Sequence, residues 1–293
     1  MMREYQILAD AGCDLPPAWA ESLGVQVIPM EVTFEGEPTQ MTDQTDLPSF
    51  YEKLSTGENV TTAAVNMERL EEAFRKVLDS GRDVLYLGFS SGLSSTCHNG
   101  QVVAEDLNNQ LTAAGKPGKV LAVDSLAASL GYGLLVYYAS EKQKAGATLE
   151  ETAAYVEEIR LHLCHWFTVD DLFFLRRGGR ISATTAVVGS MLSIKPVMHV
   201  DNEGHLIAMG KVRGRRKSVE ELVNRMAGLI DRPEGQTVYI CQGHCMEDAD
   251  YLAGLIKARW PEIREVRIGY TGPAIGAHSG PGTLAVFFLG TQR

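Results

Sequence analysis

Five hydroxyl side chains crowd into Ser90-Ser91-Gly92-Leu93-Ser94-Ser95-Thr96, directly after the apolar run Val84-Leu85-Tyr86-Leu87. That run reads as a buried strand that breaks at Gly88 and leads into a helix. Open α/β sheets bind ligands outside the carboxyl ends of parallel strands, and a helix start offers unpaired N–H groups to an anion. One helix start needs one cap, so the surplus of hydroxyls marks a cradle for a small negatively charged group. Two more segments carry polar groups that a core does not need. Val60-Thr61-Thr62-Ala63-Ala64-Val65-Asn66 approaches another helix, where loop and cap chemistry is the plain reading. Gly276-Ala277-His278-Ser279-Gly280-Pro281-Gly282 sets a histidine among glycines, a poor place to pack and a good one to meet a ligand.

The same residues also permit a serine hydrolase. Gly88-Phe89-Ser90-Ser91-Gly92 matches the nucleophile elbow, with Ser90 as nucleophile, His278 as base and Asp124, Asp170 or Asp171 as orienter, in a chain order found in α/β-hydrolases. Against it, Gly92 separates Ser90 from the better helix start at Ser94, and no His-Gly-Gly-Gly segment supplies an oxyanion hole. Such an enzyme, acting on acyl esters, is the alternative reading. Cys241-Gln242-Gly243-His244-Cys245 offers three metal-ligand types but no fourth at a familiar spacing, and no Walker or dinucleotide fingerprint is present. No metal and no cofactor are therefore expected. Two basic clusters, Arg176-Arg177-Gly178-Gly179-Arg180 and Lys211 to Lys217, suit either solvated loops or a docking face for an acidic or phosphate-bearing partner.

The bulk of the chain narrows the classes. Its 293 residues suffice for one large or two ordinary domains, with 45% hydrophobic and 22% charged residues. A net charge of −10 and a pI near 5.2 argue against a nucleic-acid surface and against a polybasic membrane binder. No apolar run is long enough to span a bilayer, and the amino terminus lacks the apolar core of a signal peptide. Five cysteines without repeating spacing make a disulfide framework unexpected. A cytoplasmic protein with no nucleic-acid partner and no stable membrane insertion is the expectation.

Elements that position these groups follow from periodicity. Strands are expected at Tyr5–Ala9, Val25–Phe34, Val84–Leu87 and Val120–Val123, alternating with helices that begin near Pro16, Asp46, Asn66, Ser95 and Ala127. Alternation of this kind implies a mostly parallel sheet covered on both faces. After a helix over Thr148–Leu163 the rhythm changes. A strand at Cys164–Val169, a short helix stopped by Gly178-Gly179, a hairpin about Asp201-Asn202-Glu203-Gly204, and strands at Thr237–Cys241, Glu265–Tyr270 and Thr283–Leu289 indicate an α+β unit with a mixed or antiparallel sheet. The expected boundary lies near residue 160.

Asp170-Asp171-Leu172-Phe173-Phe174-Leu175-Arg176-Arg177-Gly178-Gly179-Arg180-Ile181-Ser182, the Ser90–Thr96 block, Val123-Asp124-Ser125 and His278-Ser279-Gly280-Pro281-Gly282 together resemble the DegV family, the bacterial fatty-acid-binding subunits of fatty acid kinase. The resemblance runs from Ile7 to the last strand. It implies a two-domain DegV-like fold: an α/β domain over 1–160 carrying the carboxylate-binding loops, and an α+β domain over 161–293 closing an acyl tunnel. It also implies a non-enzymatic carrier that binds one long-chain fatty acid and presents its carboxylate to a separate ATP-binding kinase subunit for acyl-phosphate formation, as a step toward phospholipid precursors. By the same resemblance Thr62, Ser94 and His278 hold the carboxylate, with Thr61 and Ser95 as near alternatives, and Arg176, Arg177 and Arg180 are the candidates for docking the kinase. The chain departs from the family pattern at Asp10-Ala11-Gly12-Cys13-Asp14, at Ala63-Ala64-Val65 and at Ser95, and the first two departures bear on acyl preference. A generic sensor of another amphipathic carboxylic acid is the remaining reading.

Overall fold

Two separate sheets organise the protein. The computed structural model describes residues 3–182 and 193–293. The first sheet joins β1 (Tyr5–Asp10), β2 (Gln26–Ile28), β6 (Asp83–Gly88) and β7 (Val120–Asp124) in the order β2-β1-β6-β7, all parallel. Its central strands are buried along their whole length, as expected for parallel strands covered on both faces. Helices α1 (Pro17–Leu23), α3 (Met67–Asp79), α4 (Thr96–Ala113), α5 (Ser129–Lys144) and α6 (Leu149–Ile159) alternate with these strands. Local chemistry sets their starts: the Asn66 side chain accepts the Arg69 N–H at 2.9 Å, and Thr148 and Glu151 form a reciprocal capping box.

The second sheet is mixed. Strands β8 (Leu163–Thr168), β9 (Ile194–Val200), β10 (Leu206–Arg213), β11 (Thr237–Gln242), β12 (Glu265–Tyr270) and β13 (Leu284–Leu289) run in the order β10-β9-β8-β13-β11-β12, and only β11 and β12 pair in parallel. Helices of this half include α7 (Phe173–Arg177), α8 (Arg215–Leu229) and α9 (Met246–Arg259). A parallel α/β region followed by a mixed-sheet α+β region is the fold expected from the sequence.

The extended reading of Val25–Phe34 needs correction. Pro29 lacks the N–H that a continuing ladder needs. The segment breaks there, so that β2 joins the parallel sheet while β3 (Glu31–Phe34) leaves it. β3 pairs with β4 (Gln40–Met41) and β5 (Val60–Ala63) in a small antiparallel sheet against which α2 (Leu47–Ser55) packs its Phe50 and Leu54. Val60–Ala63 is thus a strand and not a loop. The glycine-flanked histidine also sits on a helix, α10 (Pro273–Ser279), started by its proline.

α5 joins the two sheets. It is buried nearly all round, and Leu130, Leu134 and Leu135 share one apolar cluster with Ile7, Leu85 and Leu87 of the first sheet and with Phe167, Tyr239 and Phe287 of the second. Gly131 permits this approach, because a Cβ there would lie 2.2 Å from His165 Nε2.

Candidate functional site

Between the sheets lies a cavity of about 300 Å³, at the small end of the ligand-site range of about 300–1,000 Å³. Its walls come from both halves: Phe89, Leu93 and Ala128 from the first, Phe167, Leu175 and Phe287 from the second. At one end the lining turns polar, with Thr62, Ser94, Ser95, Arg180 and His278. These groups come from four separate stretches of chain, and strand alternation selects among them. On β5, Thr62 pairs with Val32 and faces the cavity. Thr61 points to the opposite side, where it is exposed and its hydroxyl reaches only Thr33 O at 3.4 Å.

Thr62 Oγ1 and His278 Nε2 are 2.8 Å apart. Gly178 makes room for the ring, since a Cβ there would stand 2.3 Å from His278 Nδ1, and Gly179 carries the left-handed φ of 73° that turns the chain away. Burial, with the nearby Arg180 and Arg177 cations adding to it, pushes the His278 imidazole down to about 4, so the ring is neutral at physiological pH. Ser94 Oγ accepts the Thr96 N–H at 3.2 Å and lies 2.9 Å from Thr96 Oγ1, which accepts the Val65 N–H. Asn99 Nδ2 donates to Val65 O. The serine block and the end of β5 are therefore bound into one unit. Ser95 reaches the cavity rim from an exposed position.

The three arginines separate. Arg176 is exposed. Arg177 lies over the Phe174 ring, 5.2 Å from its centroid, and donates to Asn59 Oδ1 at 3.1 Å. Arg180, assigned with them to a docking face, instead lines the cavity, donating to Leu93 O at 3.2 Å and to Gly178 O, and burial lowers its pKa. It brings a cation beside the hydroxyls. Sequence reasoning missed this because spacing cannot tell which arginine of a cluster turns inward.

Ser90 has another task. It is fully buried, and its hydroxyl donates to Gly204 O at 2.9 Å, tying the first sheet to the hairpin turn of the second. A Cβ at Gly92 would meet Glu203 O at 2.8 Å in the same contact. His278 is engaged with Thr62, Asp124 accepts from the Ser91 and Leu126 backbone, and Asp170 pairs with Lys195 and Arg215. The hydrolase triad is not assembled. Nor do the cysteines and histidine of 241–245 converge: Cys241 is buried between Ala285 and Gly269, the Cys245 thiol donates to Thr283 O, and His244 stacks on Tyr51. Among the described residues no group of three or more His, Cys, Asp or Glu could hold a metal, and no helix is long and apolar enough to cross a membrane.

The departure at Asp10–Asp14 also has a structural sense. Asp10 accepts the Gly12 and Phe89 N–H groups at 2.9 Å and the Tyr86 hydroxyl at 2.8 Å, which fixes the end of β6 just ahead of the serine block. Burial still holds its carboxyl up at about 6. Asp14 accepts the Ser129 hydroxyl at 2.5 Å, and burial raises it to about 7.

Comparison with known proteins settles the lineage. The family model described as uncharacterised protein, DegV family, matches residues 4–291. The chain belongs to the DegV family. A DegV domain-containing protein of Clostridium perfringens is 40% identical over 296 residues, covering 100% of this chain and 99% of its own. Among solved structures, a DegV family protein from Thermus thermophilus described as fatty-acid binding superposes with a TM-score of 0.88 at 29% identity, over 99% of this chain and all of that one. DegV of Bacillus subtilis, described as a fatty acid binding protein, gives 0.83 at 26% identity, over 99% of this chain and 100% of that one.

Proposed function

We propose that this DegV protein carries one long-chain fatty acid, its tail in the cavity between the sheets and its carboxylate among Thr62, Ser94 and His278. One observation carries the reading: an apolar cavity ends in neutral hydroxyl donors next to a histidine that burial keeps uncharged. A carboxylate only accepts hydrogen bonds. Thr62 therefore donates to it, and Thr62 Oγ1 accepts in turn from His278 Nε2–H. Ser94 adds a second donor and Arg180 a favourable field, while Ser95 stands at the rim. About 14 methylenes of a palmitate-sized tail, at about 0.8 kcal/mol each, favour burial by roughly 11 kcal/mol before the cost of ordering. The tail supplies the affinity, and the head group needs positioning more than strength.

A weakly held head group suits a carrier whose carboxylate is next phosphorylated. We assign that chemistry to a separate ATP-binding kinase subunit of the cytoplasm, docking over the polar end of the cavity with Arg176 and Arg177 on its contact face. The lobes divide near residue 160 in this scheme, with both closing on the acyl chain. Native mass spectrometry of the purified protein, followed by lipid extraction, tests the proposal. A one-to-one mass addition released as a long-chain fatty acid is expected. A protein that is empty and refuses added fatty acid overturns it.

A further inference from the structure

Strand register sets the far wall of the cavity. On β13 the alternate residues Thr283, Ala285 and Phe287 line it, and on β8 Phe167 and His165 do. Thr283 starts the series at the polar end, since its hydroxyl donates at 2.8 Å to Gly280 O, just beyond His278. Phe287 lies about 14 Å further along the strand, at about 3.4 Å per residue. There it pairs with His165. The next pair on the same face, Leu289 and Leu163, does not line the cavity and joins the apolar cluster around α5. The cavity therefore ends at His165 and Phe287.

Two packing relationships hold His165 in that place. Its ring stands edge-on to Phe287, with 4.9 Å between centroids and 80° between planes. It is also seated on Gly131, where a Cβ would lie 2.2 Å from Nε2 and 2.6 Å from Phe287 Cδ1. Gly131 is in the first turn of α5, where alanine is the better helix former. Its φ is not left-handed, so the backbone does not call for glycine. The ring does. Leu163, next on this face of β8, and Leu134 and Leu135 of α5 are fully buried in one cluster, so the space beyond the ring is lined with carbon.

We infer that His165, seated on Gly131, is the end stop of the acyl cavity and sets the longest chain this protein takes, a role that rests on reading the cavity as the acyl site. Protein interiors are close-packed, so a methylene past the ring would have to displace it. Removing the ring frees a depth of roughly 3 Å, which two more methylenes fill at about 1.3 Å per bond.

Lipid-stripped protein is offered equal amounts of the even-numbered saturated acids from tetradecanoic to eicosanoic, and the complexes are counted by native mass spectrometry. In His165→Ala the favoured acid should lengthen by about two carbons and gain about tenfold, the worth of two buried methylenes. His165→Leu, which keeps the bulk, should keep the original preference. Adding Gly131→Ala to His165→Ala places a methyl where the ring stood and should shorten the preference again. The unaltered protein supplies a test that holds even where His165→Ala fails to fold. The carbon-13-labelled terminal methyl of its favoured acid should show nuclear Overhauser contacts to the His165 and Phe287 rings. A methyl that contacts other side chains instead overturns the stop and leaves the carrier standing. So does a folded His165→Ala with an unchanged preference, a shift shared by His165→Leu, or a double variant that stays long. Refusal of every acid removes the carrier and the stop with it.

Discussion

Thr62 Oγ1 and His278 Nε2 meet at 2.8 Å across 216 residues of sequence, one from a small antiparallel sheet and the other from the last turn of α10. The contact orients each side chain toward the other. A hydrogen bond to a charged group contributes about 1.5–3 kcal/mol, so Thr62→Val should weaken fatty acid binding at least about tenfold. His278→Ala should cost a similar factor, and the double variant little beyond the worse single one, because the two act as a unit. Titration calorimetry on the four proteins checks this. Losses that multiply would sink the relay. Thr61→Val, on the far face of β5, should bind normally.

Ser94→Ala should weaken binding modestly and reduce acyl-phosphate formation in the presence of the kinase more. Equal losses in the two assays count against a positioning role.

Arg180 and Arg176 should part company. Arg180→Gln removes a cation from the cavity wall and should lower lipid affinity. Arg176→Glu changes an exposed side chain and should spare lipid uptake while slowing phosphorylation by the kinase. If Arg176→Glu left acyl-phosphate formation intact, the docking assignment would be dropped.

Ser90 should resist fluorophosphonate probes, being buried and committed to Gly204 O. Ser90→Ala leaves that carbonyl without its donor, which costs about 1–3 kcal/mol. The thermal midpoint should fall while lipid specificity is kept. Labelling of Ser90 would revive the hydrolase.

Asp14 gives a pH test with a definite sign. Its folded pKa, about 7, lies above the ordinary 3.8 because burial disfavours the charged form. The folded state then holds a proton that the unfolded chain has released. The stability from protonated Asp14 is full below about 4 and is lost as pH rises through about 7. Asp10 acts in the same direction up to about 6. Asp14→Asn, which suits the left-handed φ of 51° at this position, should therefore gain thermal midpoint relative to the unaltered protein between pH 4 and 8. A constant difference across that range contradicts the assignment.

Much of this was legible in the chain. A uniform apolar run marked β6 as a buried strand, and surplus hydroxyls with a stranded histidine marked the polar end of the cavity. Thr62 and Thr61 were not separable, since their roles depend on which face of β5 turns inward, and β5 itself read as a loop. β3 was hidden because Pro29 splits a run that looks continuous.

The single apolar cluster around α5 has an evolutionary reading. Two sheets read as two cassettes open to exchange by recombination, yet α5 buries apolar side chains in one cluster with both. A chain cut between α6 and β8 would strand Leu130, Leu134 and Leu135 against water and open the cavity between the sheets to solvent. Halves of different ancestry would have to match along this buried surface to fold as one.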